Sequence, residues 1–90
     1  MKPLGNKIQL RIDESKIGVI QTDSIEEHAE IIALGDHVWM TGIGGYEEDT
    51  VNKLLGKTLY FKAWAVDIIT EGDNKYYFIS ADSDAICAIK

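Results

Sequence analysis

Apolar and polar residues alternate strictly over residues 7–12, Lys-Ile-Gln-Leu-Arg-Ile, which puts Ile8, Leu10 and Ile12 on one face of a half-buried strand. Thr58-Leu59-Tyr60-Phe61 predicts a short aromatic strand, and residues 65–70 predict an apolar, partly β-branched one. Tyr76-Tyr77-Phe78-Ile79 follows the turn signal Glu71-Gly72-Asp73-Asn74, and residues 85–89 form a last apolar run. Turn residues at Gly35-Asp36, 42–45, Gly56-Lys57 and 82–84 separate most of these runs. Short strands at such spacing predict a small all-β barrel or sandwich.

One segment reads two ways. Ser24-Ile25-Glu26-Glu27 has the form of a capping box, and Ile25, Ala29 and Ile32 then fall at helical spacing. The alternative is a loop through His28 followed by a strand over residues 30–34, ended by Gly35. Two further stretches are loop-like: 13–28, polar around the apolar island Ile17-Gly18-Val19-Ile20, and 35–52, Gly-rich and then acidic at Glu47-Glu48-Asp49. Loops of that length in a small domain are usually functional or disordered.

With 90 residues there is room for one domain, spanning 1–90, and a core of modest size, so oligomerisation would help it. No apolar run is long enough to span a membrane, and no secretory signal is expected. The single Cys87 cannot close an internal disulfide, which fits a reducing, cytoplasmic setting. Fifteen acidic residues against nine basic ones give a net charge of −6, the wrong sign for a phosphate-backbone binder.

The search for catalytic chemistry is negative. His28, His37 and Cys87 lack metal-ligand spacing. Gly42-Ile43-Gly44-Gly45 lacks the Gly-Lys-Ser/Thr ending of a phosphate loop. Glu47-Glu48-Asp49 and Asp82-Ser83-Asp84 read as solvated turns, and no Ser or Cys sits in a nucleophile motif. The expectation is therefore no enzyme, no cofactor and no metal. Trp64 is expected in the core on pattern alone; a base-stacking platform and a partner-facing surface are the other options for Trp39 and Trp64.

Five stretches resemble a known family in order and spacing. Leu55-Gly56-Lys57-Thr58-Leu59-Tyr60-Phe61 is similar to the co-chaperonin strand "Val-Gly-Asp, three apolar, Phe". Residues 73–80 resemble its "Asp-Asn" turn and apolar strand, and residues 82–89 its closing "Glu-Ser-Asp-Ile-Leu-Ala-Ile". Residues 2–8 resemble "Arg-Pro-Leu-X-Asp-Arg-Val", and residues 30–35 resemble "Glu-Val-Leu-Ala-Val-Gly". The chain thus resembles, over nearly its whole length, a divergent co-chaperonin of the GroES-like family, the lid of a group I chaperonin. It departs at residues 17–20, which hold one Gly where the family usually has Gly-Gly before an Ile-Val-Leu type tripeptide.

The resemblance implies an irregular antiparallel β-barrel with a mobile loop at about 13–28 and a roof hairpin at about 35–52. It also decides the ambiguous segment for loop and then strand. It implies a homo-oligomer, a seven-membered ring, that caps a GroEL-like chaperonin ring holding ATP or ADP and encloses unfolded substrate protein. By the same resemblance Ile17, Gly18, Val19 and Ile20 would dock on the chaperonin. Pro3, Leu4, Ile8, Ile86 and Ile89 would join neighbouring subunits. Trp64 would face the cavity, and Glu47, Glu48 and Asp49 would lie in the roof. The alternative from another class is a small barrel that binds single-stranded nucleic acid on its aromatic residues; the acidic balance opposes it.

Overall fold

The computed structural model describes residues 2–12, 26–43, 45 and 47–90. They form six strands in a single antiparallel sheet: β1 (Lys7–Arg11), β2 (Glu26–Leu34), β3 (Thr58–Lys62), β4 (Asp67–Glu71), β5 (Asn74–Ser80) and β6 (Ile86–Ile89). The order across the sheet is β4-β5-β1-β2-β3-β6. The fold is all-β, as the alternation predicts. It is not a closed barrel: β4 and β6 are the outer strands and do not pair with each other.

Strand alternation sorts the residues onto two faces. Ile8, Leu10, Ile31, Leu59, Phe61 and Ile79 point to the inner face and are almost fully buried. Each such side chain contributes about 1.5–3 kcal/mol when removed from water, so this face dominates the stabilisation. Ile12 packs on its margin, completing the stripe read from residues 7–12.

The helix option for the capping-box segment is overturned. From Glu26 onward the backbone pairs with β1 on one side (Ile8 opposite Leu34) and with β3 on the other (His28 opposite Tyr60). Two ladders satisfy more backbone groups than an isolated short helix can, and Ala29 and Ile31 gain the core. β2 begins two residues before His28, so the loop expected over 13–28 ends sooner. The rest of it lies outside the described residues.

The expected roof hairpin is also corrected. Within 35–52 the described residues form a 3₁₀ turn (Val38–Thr41), a single α-helical turn (Glu48–Val51) and the start of a second 3₁₀ turn (Asn52–Leu54), with no strand. The reason is apolar spacing. Val38, Val51 and Leu54 are buried and join the same core cluster as the sheet, which folds this segment inward. The turn between β4 and β5 is a two-residue connection, Gly72-Asp73, with Gly72 at φ +60°, where a side chain would be strained.

Candidate functional site

The segment before β1 is tied to the residues that follow β2. Gly35, at the end of β2, donates its N–H to the Lys7 carbonyl at 2.8 Å, and the His37 N–H reaches the Gly5 carbonyl at 2.9 Å. The Gly5 N–H donates to Asp36 Oδ1 at 3.0 Å. The approach is too close for any side chain at position 35, since a Cβ there would stand 2.3 Å from the Gly5 oxygen. The Gly5 N–H holds the Asp36 carboxyl below the ordinary Asp range; its own backbone N–H, His37 (3.7 Å away) and Lys2 act in the same direction.

This clamp lays Pro3 and Leu4 beside the outer face of the sheet. Phe78 lies opposite Gln9 and Asp67 in the ladders, on the face away from Tyr77 and Ile79. It is nonetheless buried, as are Pro3 and Gln9. The result is an apolar groove of about 350 Å³ lined by Pro3, Leu4, Ile69 and Phe78, with Lys2 and the Lys7–Asp67 pair at its rim. Lys7 Nζ donates to Ser80 Oγ at 2.8 Å and lies 3.4 Å from Asp67 Oδ2, so its charge is tied down. Leu4 is 72% exposed and Ile69 44%, so the groove's wall and outer edge are open to a partner.

The expected interface residues divide. Pro3 and Leu4 line this groove. Ile8 has no exposed surface at all and is used entirely by the core, so its side chain has nothing left for a neighbour. Ile86 and Ile89 are half-buried and pack against their own core, because a register shift beside Tyr60 and Phe61 turns both inward. Cys87 and Ala88 are the exposed residues of β6.

Trp64 is 58% exposed, so the core expectation for it fails. A 3₁₀ turn (Ala63–Ala65) buries Ala63 and turns Trp64 outward. Glu47 and Asp49 are exposed, and Thr50 Oγ1 reaches Glu47 Oε2 at 3.5 Å. Glu48 opens the α-helical turn. Ile17, Gly18, Val19 and Ile20 lie outside the described residues. Among the described residues no three His, Cys, Asp or Glu side chains converge on a metal site.

Two groove residues, Ile69 and Phe78, were missed by the pattern argument. Their signal was present. Ile68-Ile69 and Tyr76-Tyr77-Phe78-Ile79 are continuous apolar runs, and in a strand such runs must put apolar side chains on both faces.

No family model matches the chain, and no curated protein matches it in sequence. Among the described residues no helix is long and apolar enough to cross a membrane.

Proposed function

We propose that this chain is a co-chaperonin: a ring-forming lid that caps a group I chaperonin in its nucleotide-bound state and encloses substrate protein, working in the cytoplasm. The observation that carries the reading is the coincidence of five ordered motifs with structural units. Residues 30–35 end β2, 55–61 lead into β3, 73–80 span β5, 82–89 lead into β6, and 2–8 form the clamped segment and the start of β1. The all-β sheet, whose outer strands β4 and β6 each pair on one side only among the described residues, supports it further, since such a unit can be extended by neighbours on both sides.

In this reading the lid does no bond chemistry. Ile17, Val19 and Ile20 enter an apolar groove of the chaperonin, with Gly18 allowing the backbone to approach. Burying three such side chains yields about 1.5–3 kcal/mol each. Fixing several loop residues costs about 1–2 kcal/mol per residue. The two nearly cancel, so a single loop binds weakly. A ring multiplies the contacts and raises avidity by about 10²–10⁴. The same weakness lets the lid leave when the chaperonin changes state. Trp64 faces the enclosed space and the acidic residues 47–49 lie near the ring opening. The test is negative-stain imaging of the purified protein together with inhibition of a group I chaperonin's ATPase. Domed rings that slow the ATPase are expected, and a monomer without effect on it overturns the proposal.

A further inference from the structure

The clamp borders a second cavity, of about 260 Å³, which shares only Lys2 with the apolar groove. Pockets for drug-sized ligands run from about 300 to 1,000 Å³, so an occupant here must be small. The lining also differs in kind. Leu34, Trp39 and Val51 are apolar, whereas Lys2, Asp36 and Asn52 are polar and exposed. Val51 is buried, but Leu34 and Trp39 pack against the core with part of their surface left open. Trp39 is held there by its 3₁₀ turn, in which Val38 is fully buried.

The two charges at this cavity are opposite in sign and are not consumed by each other. Among the described residues no ion pair joins Lys2 to Asp36, although Lys2 is near enough to act on the Asp36 carboxyl. Asp36 Oδ1 accepts the Gly5 N–H at 3.0 Å. Oδ2 lies 3.7 Å from His37 Nε2, and the side chain is still 67% exposed, so it can accept a further donor. A simple cation would meet Lys2 as a like charge, and a simple anion would meet Asp36. A nucleotide would bring its phosphate to Asp36 on a chain of net charge −6. A zwitterion meets an opposite charge at each end.

We propose that this cavity binds a free α-amino acid with an apolar side chain. Its ammonium donates to Asp36 Oδ2, its carboxylate faces Lys2, and its side chain lies against Trp39, Leu34 and Val51. A primary ammonium suits Asp36 better than a quaternary one, because only the former has N–H groups to donate. Asn52 offers one more amide donor to the carboxylate. The site gives Trp39 a role that neither the core nor the lid reading uses, and it does not depend on assembly.

The test is tryptophan fluorescence of the full chain carrying Trp64→Phe, which leaves Trp39 as the reporter. L-Leucine is the probe, with N-acetyl-leucine lacking the ammonium and leucinamide lacking the carboxylate. Leucine is expected to change the emission saturably in the millimolar range, and both analogues to bind about three- to tenfold more weakly, as exposed charge pairs allow. Asp36→Asn, which keeps an acceptor for the Gly5 N–H, should weaken leucine by a similar factor and leave N-acetyl-leucine unchanged. Lys2→Met should weaken leucine and leave leucinamide unchanged. No saturable change up to the solubility of leucine overturns the proposal, as does either analogue binding as tightly as leucine. So does UMP binding as tightly as leucine, or the same response from Trp64 in a Trp39→Phe chain.

Discussion

Replacing Gly35 by Ala tests the clamp that builds the groove. Gly35 does not occupy the left-handed region, so alanine suits its backbone, and the effect comes from space alone. The new Cβ would lie 2.3 Å from the Gly5 carbonyl oxygen and 2.9 Å from its carbon, both backbone atoms that cannot rotate away. The segment before β1 must lift. Lifting breaks or stretches two backbone hydrogen bonds, Gly35 to Lys7 and His37 to Gly5. At about 0.5–1.5 kcal/mol net for each, the loss is about 1–3 kcal/mol. For a domain of this size every kcal/mol moves Tm by about 4–8 °C, so a fall of about 5–20 °C is expected in thermal unfolding followed by circular dichroism. Hydrogen exchange locates the damage: the amides of Gly35 and His37 lose protection, while those in the β2–β3 ladder keep theirs relative to global unfolding. An unchanged Tm with both amides still protected would refute the reasoning, because the close approach would then not exist in solution.

The clamp also predicts a pH effect. The Asp36 carboxyl is held below its unfolded value, so its contribution is present above about pH 4 and is lost as pH falls through the folded-state value. Asp36→Asn keeps an acceptor for the Gly5 N–H and should flatten that acid limb in melts taken from pH 5 downward; an unaltered limb assigns it to other carboxylates. Val38→Ala probes the corrected 35–52 segment: removing two carbons from a fully buried site should cost about 1.5–3 kcal/mol in urea denaturation, whereas a solvent-exposed roof hairpin would lose almost nothing. Val19→Ser and Ile20→Ser should abolish inhibition of the chaperonin ATPase with the ring intact and its melting hardly moved; full inhibition by both variants would remove the 17–20 island from docking.

What was legible in the sequence follows from how local each signal is. Residues 7–12 announced β1 because alternation over six positions has no helical counterpart, and Gly72-Asp73 announced the β4–β5 turn because its geometry is set by the residues within it. Glu26 to Leu34 was ambiguous because its strand state depends on partners far away in the chain, Ile8 on one side and Tyr60 on the other. The 35–52 segment was misassigned for a related reason. Its core residues Val38 and Val51, with Leu54 just beyond it, are widely spaced, and only the finished sheet gives them a common surface to pack on. The site residues divide in the same way. Leu4 lies in a segment singled out only by the family resemblance, and in the structure it stands exposed. Ile86 and Ile89 were not legible as core residues, because a one-residue irregularity opposite Tyr60 and Phe61 decides which way they point, and strand alternation alone cannot register it.

That irregularity bears on why the chain would assemble at all. A regular β6 would expose one of its two isoleucines, and the edge would be apolar in both backbone and side chain. The register shift withdraws Ile86 and Ile89 into the protomer's own core and leaves Cys87 and Ala88 outside. On the proposed ring reading, that edge would attract a partner through its backbone more than through apolar area. Backbone pairing is directional and demands a strand of correct polarity, whereas an apolar patch accepts any apolar surface. At the opposite side of the sheet the balance is reversed: β4 is flanked by acids, and the apolar area is gathered in the groove beneath Leu4. A small domain that leaves several large apolar side chains exposed can in this way restrict association to few geometries, as the proposed ring of identical subunits would require.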